Sequence, residues 1–149
     1  MKNVTFIGTG YVGLVSGTGI SDFGHKVICY DISEEKIKSL KKGNIPIHEP
    51  GLEELIKKNT GAGRLSFTND PEVAIKDADV VFIAVGTPMG KDGKADLKYV
   101  ESAARTIGKY LNSYTVVCTK STVPMGSSKK IINIINKSKN ASAAFDYIS

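Results

Sequence analysis

The sequence lacks any run of about 18 apolar residues, the length that a membrane-spanning helix requires. It also lacks a basic segment followed by an isolated apolar stretch, because its N-terminal apolar run is short and leads directly into a glycine-rich turn. Internal repeats and low-complexity linkers are absent too. These absences exclude a transmembrane protein and a repeat array, and we expect a cytoplasmic protein.

Cysteine is scarce: the chain has only Cys29 and Cys118, and both fall in apolar runs that predict strands. In a doubly wound sheet two other strands would separate them, which places them roughly 14 Å apart at about 4.8 Å per strand. A disulfide cannot bridge that distance. We expect two buried, inert thiols in a reducing compartment, and catalytic nucleophiles are the less favoured interpretation. His48 has no metal ligands at suitable spacing, so no metal site is expected.

Acidic residues are fewer than basic ones, 15 against 20, which gives a net charge of +5 and a pI of about 9.1. This balance raises the question of nucleic-acid binding. The lysines, however, are spread over predicted helix faces and ends, without interleaved aromatic side chains. A solvated surface is therefore the favoured interpretation, with mild attraction of an anionic cofactor or sugar nucleotide.

A glycine-rich turn near the N-terminus has the order G-x-G-x-x-G. The apolar, β-branched run of residues 4–7 predicts a buried strand before it, and a helix-length segment follows it. Such a turn suits a dinucleotide: Gly8 makes the tight turn, Gly10 lets the backbone approach a pyrophosphate, and Gly13 lets the helix pack on the sheet. The helix N-terminus adds unpaired N–H donors for phosphates.

The second predicted strand ends at Asp31, at about the 20-residue separation that the motif requires. The Asp31 carboxylate can accept hydrogen bonds from both hydroxyls of an adenosine ribose, and its charge disfavours a 2′-phosphate. We therefore expect NAD rather than NADP. Ser33 predicts an N-cap for the next helix. Lys36 would lie one turn into that helix, beside the ribose, although an ordinary exposed lysine is equally consistent.

Apolar runs and helix-length segments alternate along the whole chain, which predicts an α/β domain with a parallel sheet. The run of residues 80–85 has no alternation and predicts a strand buried on both faces. Helix starts are predicted with Pro50 as a first helical residue and with three N-caps: Asp70, Asp96 and Ser127. We predict one Rossmann-type domain over residues 1–149, with strand order 3-2-1-4-5-6 and helices on both faces.

In this strand order the fourth strand lies beside the first, at the topological switch point where ligands bind. That strand leads into Gly86 and Thr87, which should face the same crevice as the glycine-rich turn. Thr87 is therefore a candidate for contact with the pyrophosphate or the nicotinamide ribose. A plain turn threonine is the alternative.

Five short motifs follow one another along the chain: residues 8–14, 49–52, 85–88, 95–100 and 120–126. Their residues, order and spacing resemble those of the UDP-glucose 6-dehydrogenase family, over essentially the whole chain. The resemblance implies the N-terminal NAD-binding domain of an enzyme that oxidises UDP-glucose to UDP-glucuronate in two NAD-dependent steps. It also implies that the full-length enzyme is a homodimer.

The resemblance implies that Tyr11 and Val12 contact the pyrophosphate of the cofactor. It assigns the adenosine ribose to Asp31 and Lys36, and the nicotinamide half to Thr87 and Thr122. Thr122 is also the candidate catalytic residue, because the matching threonine helps to position water in the active site. A turn threonine is the alternative. The family's catalytic cysteine and most sugar-nucleotide contacts would lie beyond residue 149, so we expect this chain to bind NAD without turnover.

Three other functions remain open at this point. A GDP-mannose or UDP-N-acetylhexosamine 6-dehydrogenase is one, since the missing half would select the sugar and base. A stand-alone NAD-binding module is another, although the abrupt end after Ile148 favours a truncated chain. Nucleic-acid binding rests only on the net charge.

Overall fold

The computed structural model describes residues 1–149, in which strands and helices alternate throughout. The strands are β1 (Asn3–Ile7), β2 (Lys26–Tyr30), β3 (Leu65–Thr68), β4 (Val80–Ile83), β5 (Tyr114–Thr119) and β6 (Ala144–Ile148). The helices are α1 (Tyr11–Asp22), α2 (Glu34–Lys41), α3 (Leu52–Gly61), α4 (Pro71–Ile75), α5 (Lys98–Tyr110) and α6 (Ser127–Ser138). None of these helices has the length and apolar character needed to cross a bilayer.

The six strands form one parallel sheet in the order β3-β2-β1-β4-β5-β6, which confirms the predicted doubly wound topology. Phe6 and Phe82 are register partners at its centre, and their rings stack with centroids 4.7 Å apart. One apolar core packs α1, α2 and α3 against the sheet. A second core contains α4, α5 and α6. Helices therefore cover both faces, which explains the apolar runs of the central strands.

Helix α1 lies close to the sheet because Gly17 presents no side chain to it. A Cβ atom at Gly17 would be 2.9 Å from the Cys29 sulfur and 3.3 Å from a ring carbon of Phe6. Gly13 is buried on the same face one turn earlier. This close packing holds the N-terminus of α1 at the carboxyl end of β1, where the glycine-rich turn lies.

Two of the predicted N-caps are confirmed by their hydrogen bonds. The Ser33 hydroxyl accepts from the backbone N–H of Lys36 at 3.2 Å. The Asp70 carboxylate accepts from the N–H groups of Glu72 and Val73 at 3.0 and 3.4 Å. Both caps satisfy donors that the first turn of a helix leaves unpaired.

Two predicted helix starts are wrong because a glycine takes the N-cap position. Gly51, with φ +81°, precedes α3, so Pro50 lies outside the helix. Gly126, with φ +90°, precedes α6, so Ser127 is the first helical residue and makes no cap bond. A left-handed backbone is easy only for glycine, and it turns the chain into each helix.

Two boundaries beside the crevice also differ from the prediction. Leu97, not Asp96, is the N-cap of α5, although the Asp96 carboxylate accepts from the N–H of Lys98 at 3.0 Å. Strand β4 ends at Ile83, short of the predicted residue 85. The Ala84 N–H still donates to the carbonyl of Ile7 at 2.8 Å, and the backbone of Ala84 lies against the glycine-rich turn.

The two cysteines are both free, and strands β1 and β4 lie between their strands as predicted. Cys29 is fully buried. Cys118 is only half-buried, which corrects the prediction of two buried thiols. Its strand β5 lies next to the edge strand β6, where less of the protein covers it.

Candidate functional site

The glycine-rich turn connects β1 to α1 at the carboxyl edge of the sheet. Gly8 has φ +110°, and its N–H donates to the carbonyl of Tyr30 at 2.8 Å. A Cβ atom at Gly8 would lie 2.5 Å from the carbonyl oxygen of Ala84. The turn is therefore wedged between the ends of β2 and β4, and only glycine fits this position.

The other two glycines of the motif differ in what surrounds them. A Cβ atom at Gly13 would lie 2.0 Å from the carbonyl oxygen of Gly8, so the turn and α1 leave no room there. A Cβ atom at Gly10 would meet nothing within 4 Å. The backbone at Gly10 thus borders open space at the start of a helix, where N–H groups bind phosphates.

Asp31 lies directly beside this turn, at the end of β2. Its Oδ2 accepts from the N–H of Thr9 at 3.0 Å and from the Thr9 hydroxyl at 2.7 Å. Its Oδ1 accepts from the N–H of Ser33 at 2.9 Å. Only 9% of Asp31 and 4% of Thr9 are exposed. The sequence missed Thr9, because its contact with Asp31 depends on how β1 and β2 pair.

A cavity of about 730 Å³ opens next to Asp31, within the range of small-molecule sites. Four of the predicted site residues line it: Gly8, Gly10, Asp31 and Lys36. The buried Tyr30 forms part of its wall. Burial, followed by the charge of Asp31, raises the pKa of Tyr30, so this phenol stays protonated.

Helix α5 supplies a second part of the cavity wall. The side chains concerned recur at the spacing of one helix face: Lys98, Tyr99, Ser102, Ala103 and Thr106. Tyr99 is 46% exposed, which is unusual for a large ring on a helix that packs on a sheet. The sequence pattern predicted no role for this face. The signal was available, since the helix after the fourth strand borders the switch-point crevice.

Tyr11 and Val12 form the first turn of α1 and are exposed, 56% and 41% respectively. The Tyr11 hydroxyl donates to Oε2 of Glu49 at 3.0 Å, which ties the loop before α3 to the glycine-rich turn. This hydrogen bond, with the negative charge of Glu49, raises the pKa of Tyr11. Neither Tyr11 nor Val12 lines the cavity.

Thr87 and Thr122 lie at the same edge of the sheet, beyond the ends of β4 and β5. Thr87 is half-buried and Thr122 is exposed, and neither lines the cavity, although Gly86 does. The Ser121 hydroxyl donates to the carbonyl of Val85 at 2.7 Å, so the two segments are joined. The structure thus places both threonines at the carboxyl edge of the sheet, outside the lining of the cavity.

Neither cysteine resembles an activated nucleophile. Burial raises the pKa of the Cys29 thiol to about 12. Burial also raises the pKa of Cys118, against a smaller opposing effect of Lys120. A reactive thiol requires a lowered pKa and access to solvent, so both groups stay protonated at neutral pH. No group of three or more His, Cys, Asp or Glu side chains is arranged to hold a metal ion.

Residues 2–149 match the UDP-glucose/GDP-mannose dehydrogenase family, NAD binding domain. The chain belongs to this family. It is 54% identical over 149 residues to UDP-glucose 6-dehydrogenase TuaD of Bacillus subtilis, covering 100% of this chain and 32% of that protein. It is 55% identical over 139 residues to UDP-glucose 6-dehydrogenase of Rhizobium meliloti, covering 93% of this chain and 32% of that protein.

Solved structures of family members have the same fold. A UDP-glucose dehydrogenase from Pyrobaculum islandicum matches with a TM-score of 0.93 and 38% identity, over 99% of this chain and 35% of that one. A GDP-mannose dehydrogenase from Pseudomonas aeruginosa matches with a TM-score of 0.90 and 37% identity, again over 99% of this chain and 35% of that one. The chain therefore spans about a third of the length of the relatives that it matches.

Proposed function

We propose that the chain binds NAD in the crevice between the glycine-rich turn and α5. The observation that carries this proposal is the juxtaposition of a buried, hydrogen-bonded Asp31 with a helix N-terminus whose approach at Gly10 is open. An NAD molecule needs one acceptor for its ribose and several donors for its pyrophosphate, and this edge of the sheet supplies both.

Each end of the cofactor has its own partners in this proposal. The N-terminus of α1, with Tyr11 and Val12, binds the pyrophosphate, while Asp31 and Lys36 bind the adenosine ribose. The nicotinamide half extends toward two threonines at the carboxyl edge: Thr87 and Thr122. Bound NAD would supply a hydride acceptor, and the role of this chain is to hold and orient it.

Asp31 selects NAD over NADP in the same proposal. A 2′-phosphate would bring a second negative group against a carboxylate that is nine-tenths buried and has no salt-bridge partner among the ion pairs of the structure. Like charges at such a distance repel strongly where little water separates them. Lys36 and Lys98 are the two lysines that line the cavity, and neither forms an ion pair with Asp31.

The full-length protein, we further propose, oxidises UDP-glucose to UDP-glucuronate in two NAD-dependent steps. The identities of 54% and 55% to two proteins named UDP-glucose 6-dehydrogenase support this substrate. The likeness to a GDP-mannose dehydrogenase, with a TM-score of 0.90, keeps GDP-mannose as a second candidate. Thr122 is proposed to help to position water for this reaction. Cytoplasmic location and a homodimeric full-length enzyme stay predictions.

The chain alone should not turn over, because neither of its cysteines is an activated thiol. Production of NADH, followed by absorbance, tests both parts of the proposal. We expect the full-length protein to produce NADH with UDP-glucose and not with GDP-mannose or a UDP-N-acetylhexosamine. We expect no steady NADH production from the 149-residue chain. Steady turnover by the 149-residue chain alone would contradict the proposal that it is inactive. If the full-length protein oxidised another sugar nucleotide instead, UDP-glucose would be the wrong substrate.

A nucleic-acid function has no support beyond the net charge of +5. Filter binding at physiological salt provides a direct check, because retention of DNA or RNA by the chain would support a nucleic-acid function. We expect none, because the basic side chains form no track with aromatic rings between them.

A further inference from the structure

Thr9 is the residue between the first two glycines of the turn, and it makes two hydrogen bonds to one atom. Its N–H and its hydroxyl both donate to Oδ2 of Asp31, at 3.0 and 2.7 Å. The two residues are 22 positions apart in sequence. Thr9 is only 4% exposed, and its hydroxyl donates to a carboxylate at the cavity wall.

The donors around Asp31 leave little of its acceptor capacity free. An ionised carboxylate has about four lone-pair positions, two on each oxygen. Thr9 fills both positions on Oδ2, and the N–H of Ser33 fills one on Oδ1. About one position therefore remains, on Oδ1, and that oxygen belongs to a residue that lines the cavity.

We infer that Thr9 is a positioning residue for the cofactor's ribose: it fixes Asp31 through Oδ2 and leaves Oδ1 to accept from one ribose hydroxyl. This inference rests on the proposed NAD site and refines it, since the carboxylate then binds one hydroxyl rather than two. The backbone N–H groups of Thr9 and Ser33 each donate to a different oxygen of Asp31, and the Thr9 hydroxyl adds a second donor to Oδ2. The hydroxyl thereby occupies the remaining position on Oδ2 and directs the ribose to Oδ1.

A double-mutant cycle in NAD binding tests whether Thr9 acts through Asp31. The four proteins are wild type, Thr9→Val, Asp31→Ala and the double variant, each titrated with NAD by calorimetry. Valine matches the shape of threonine and removes only the hydroxyl. We expect Thr9→Val to weaken NAD binding about tenfold in the wild-type background. In the Asp31→Ala background it should change binding less than about twofold, because its target is gone.

Thr9→Ser is the matched control, because it keeps the hydroxyl and loses only a methyl group. We expect it to bind NAD within about twofold of wild type. Circular dichroism and thermal melting check that each variant is folded, and Thr9→Ala replaces Thr9→Val in the cycle if the valine variant does not fold. A threonine that merely stabilised the turn would give the same loss with and without Asp31.

The outcomes separate this inference from the function on which it rests. If wild type binds NAD and Thr9→Val costs nothing, or costs the same in both backgrounds, the positioning role is wrong and the NAD site stands. If the folded wild-type chain does not bind NAD, the proposed function itself is wrong. A tenfold loss that disappears with Asp31→Ala supports both.

Discussion

A Cβ atom on Gly13 would lie 2.0 Å from the carbonyl oxygen of Gly8. That distance is far inside van der Waals contact, and the obstructing atom is backbone rather than a movable side chain. The glycine-rich turn therefore has two separate requirements. Gly13 is needed for the fold, whereas Gly10, which borders open space, is needed only when a ligand approaches.

Replacing these two glycines should separate stability from binding. We expect Gly13→Ala to lower the free energy of unfolding by about 3 kcal/mol, because the turn or α1 must move. Gly10→Ala should cost less than about 1 kcal/mol and leave a folded chain that binds NAD poorly. Urea unfolding and calorimetry measure the two effects. A Gly13→Ala variant as stable as wild type would contradict the close approach of α1 to the carbonyl of Gly8.

Two further glycines of α1 make a matched pair within one helix. A Cβ at Gly17 would meet the Cys29 sulfur at 2.9 Å, whereas one at Gly19 would meet nothing within 4 Å. We expect Gly17→Ala to destabilise the protein by about 1–3 kcal/mol. Gly19→Ala should instead stabilise it by about 0.5–1 kcal/mol, because alanine loses less backbone entropy in a helix. If the urea midpoints of both variants shifted in the same direction relative to wild type, this packing of α1 would be contradicted.

The buried thiol of Cys29 predicts a loss of stability at alkaline pH. Burial raises its pKa from 9.0 to about 12, so the folded protein holds a proton that the unfolded chain releases near pH 9. The stabilisation is full below about pH 9 and is lost as the pH rises toward 12. Between these values wild type should lose up to about 1.4 kcal/mol per pH unit relative to Cys29→Ala.

Urea unfolding at a series of pH values measures this difference, with Cys29→Ala as the reference that removes the thiol. Other groups that titrate in the alkaline range are common to both proteins and cancel in the comparison. Parallel stability curves for the two proteins would mean that Cys29 ionises in the folded state as it does in the unfolded chain.

The fold could be predicted from the sequence because its main signals are local and agree with one another. The apolar runs, the glycine turn and Asp31 define two strands and the helix between them, and parallel pairing follows from the alternation. Helix starts were less certain. Pro50 and Ser127 are good starting residues by chemistry, but the left-handed backbone of Gly51 and Gly126 displaced them. That backbone conformation depends on the packing around each loop.

A site residue could be predicted only where its residue type and its position in the sequence are enough to indicate its role. Asp31 follows from its position after a strand, whereas the two bonds from Thr9 require β1 and β2 to pair with Ile7 opposite Tyr30. Tyr99 was missed for a similar reason, since its place on the cavity wall depends on how α5 packs against α4 and α6. Contacts between distant segments are set by tertiary structure, which periodicity does not contain.

The central claim is that this chain holds NAD through Asp31 beside the glycine-rich turn. Its most direct test is calorimetric titration of the folded chain with NAD and with NADP, repeated on Asp31→Ala. We predict that NAD binds, that NADP binds about 100-fold more weakly, and that Asp31→Ala weakens NAD binding by at least about tenfold. A folded chain that binds neither dinucleotide, or that binds both equally with and without the Asp31 carboxylate, would contradict the account.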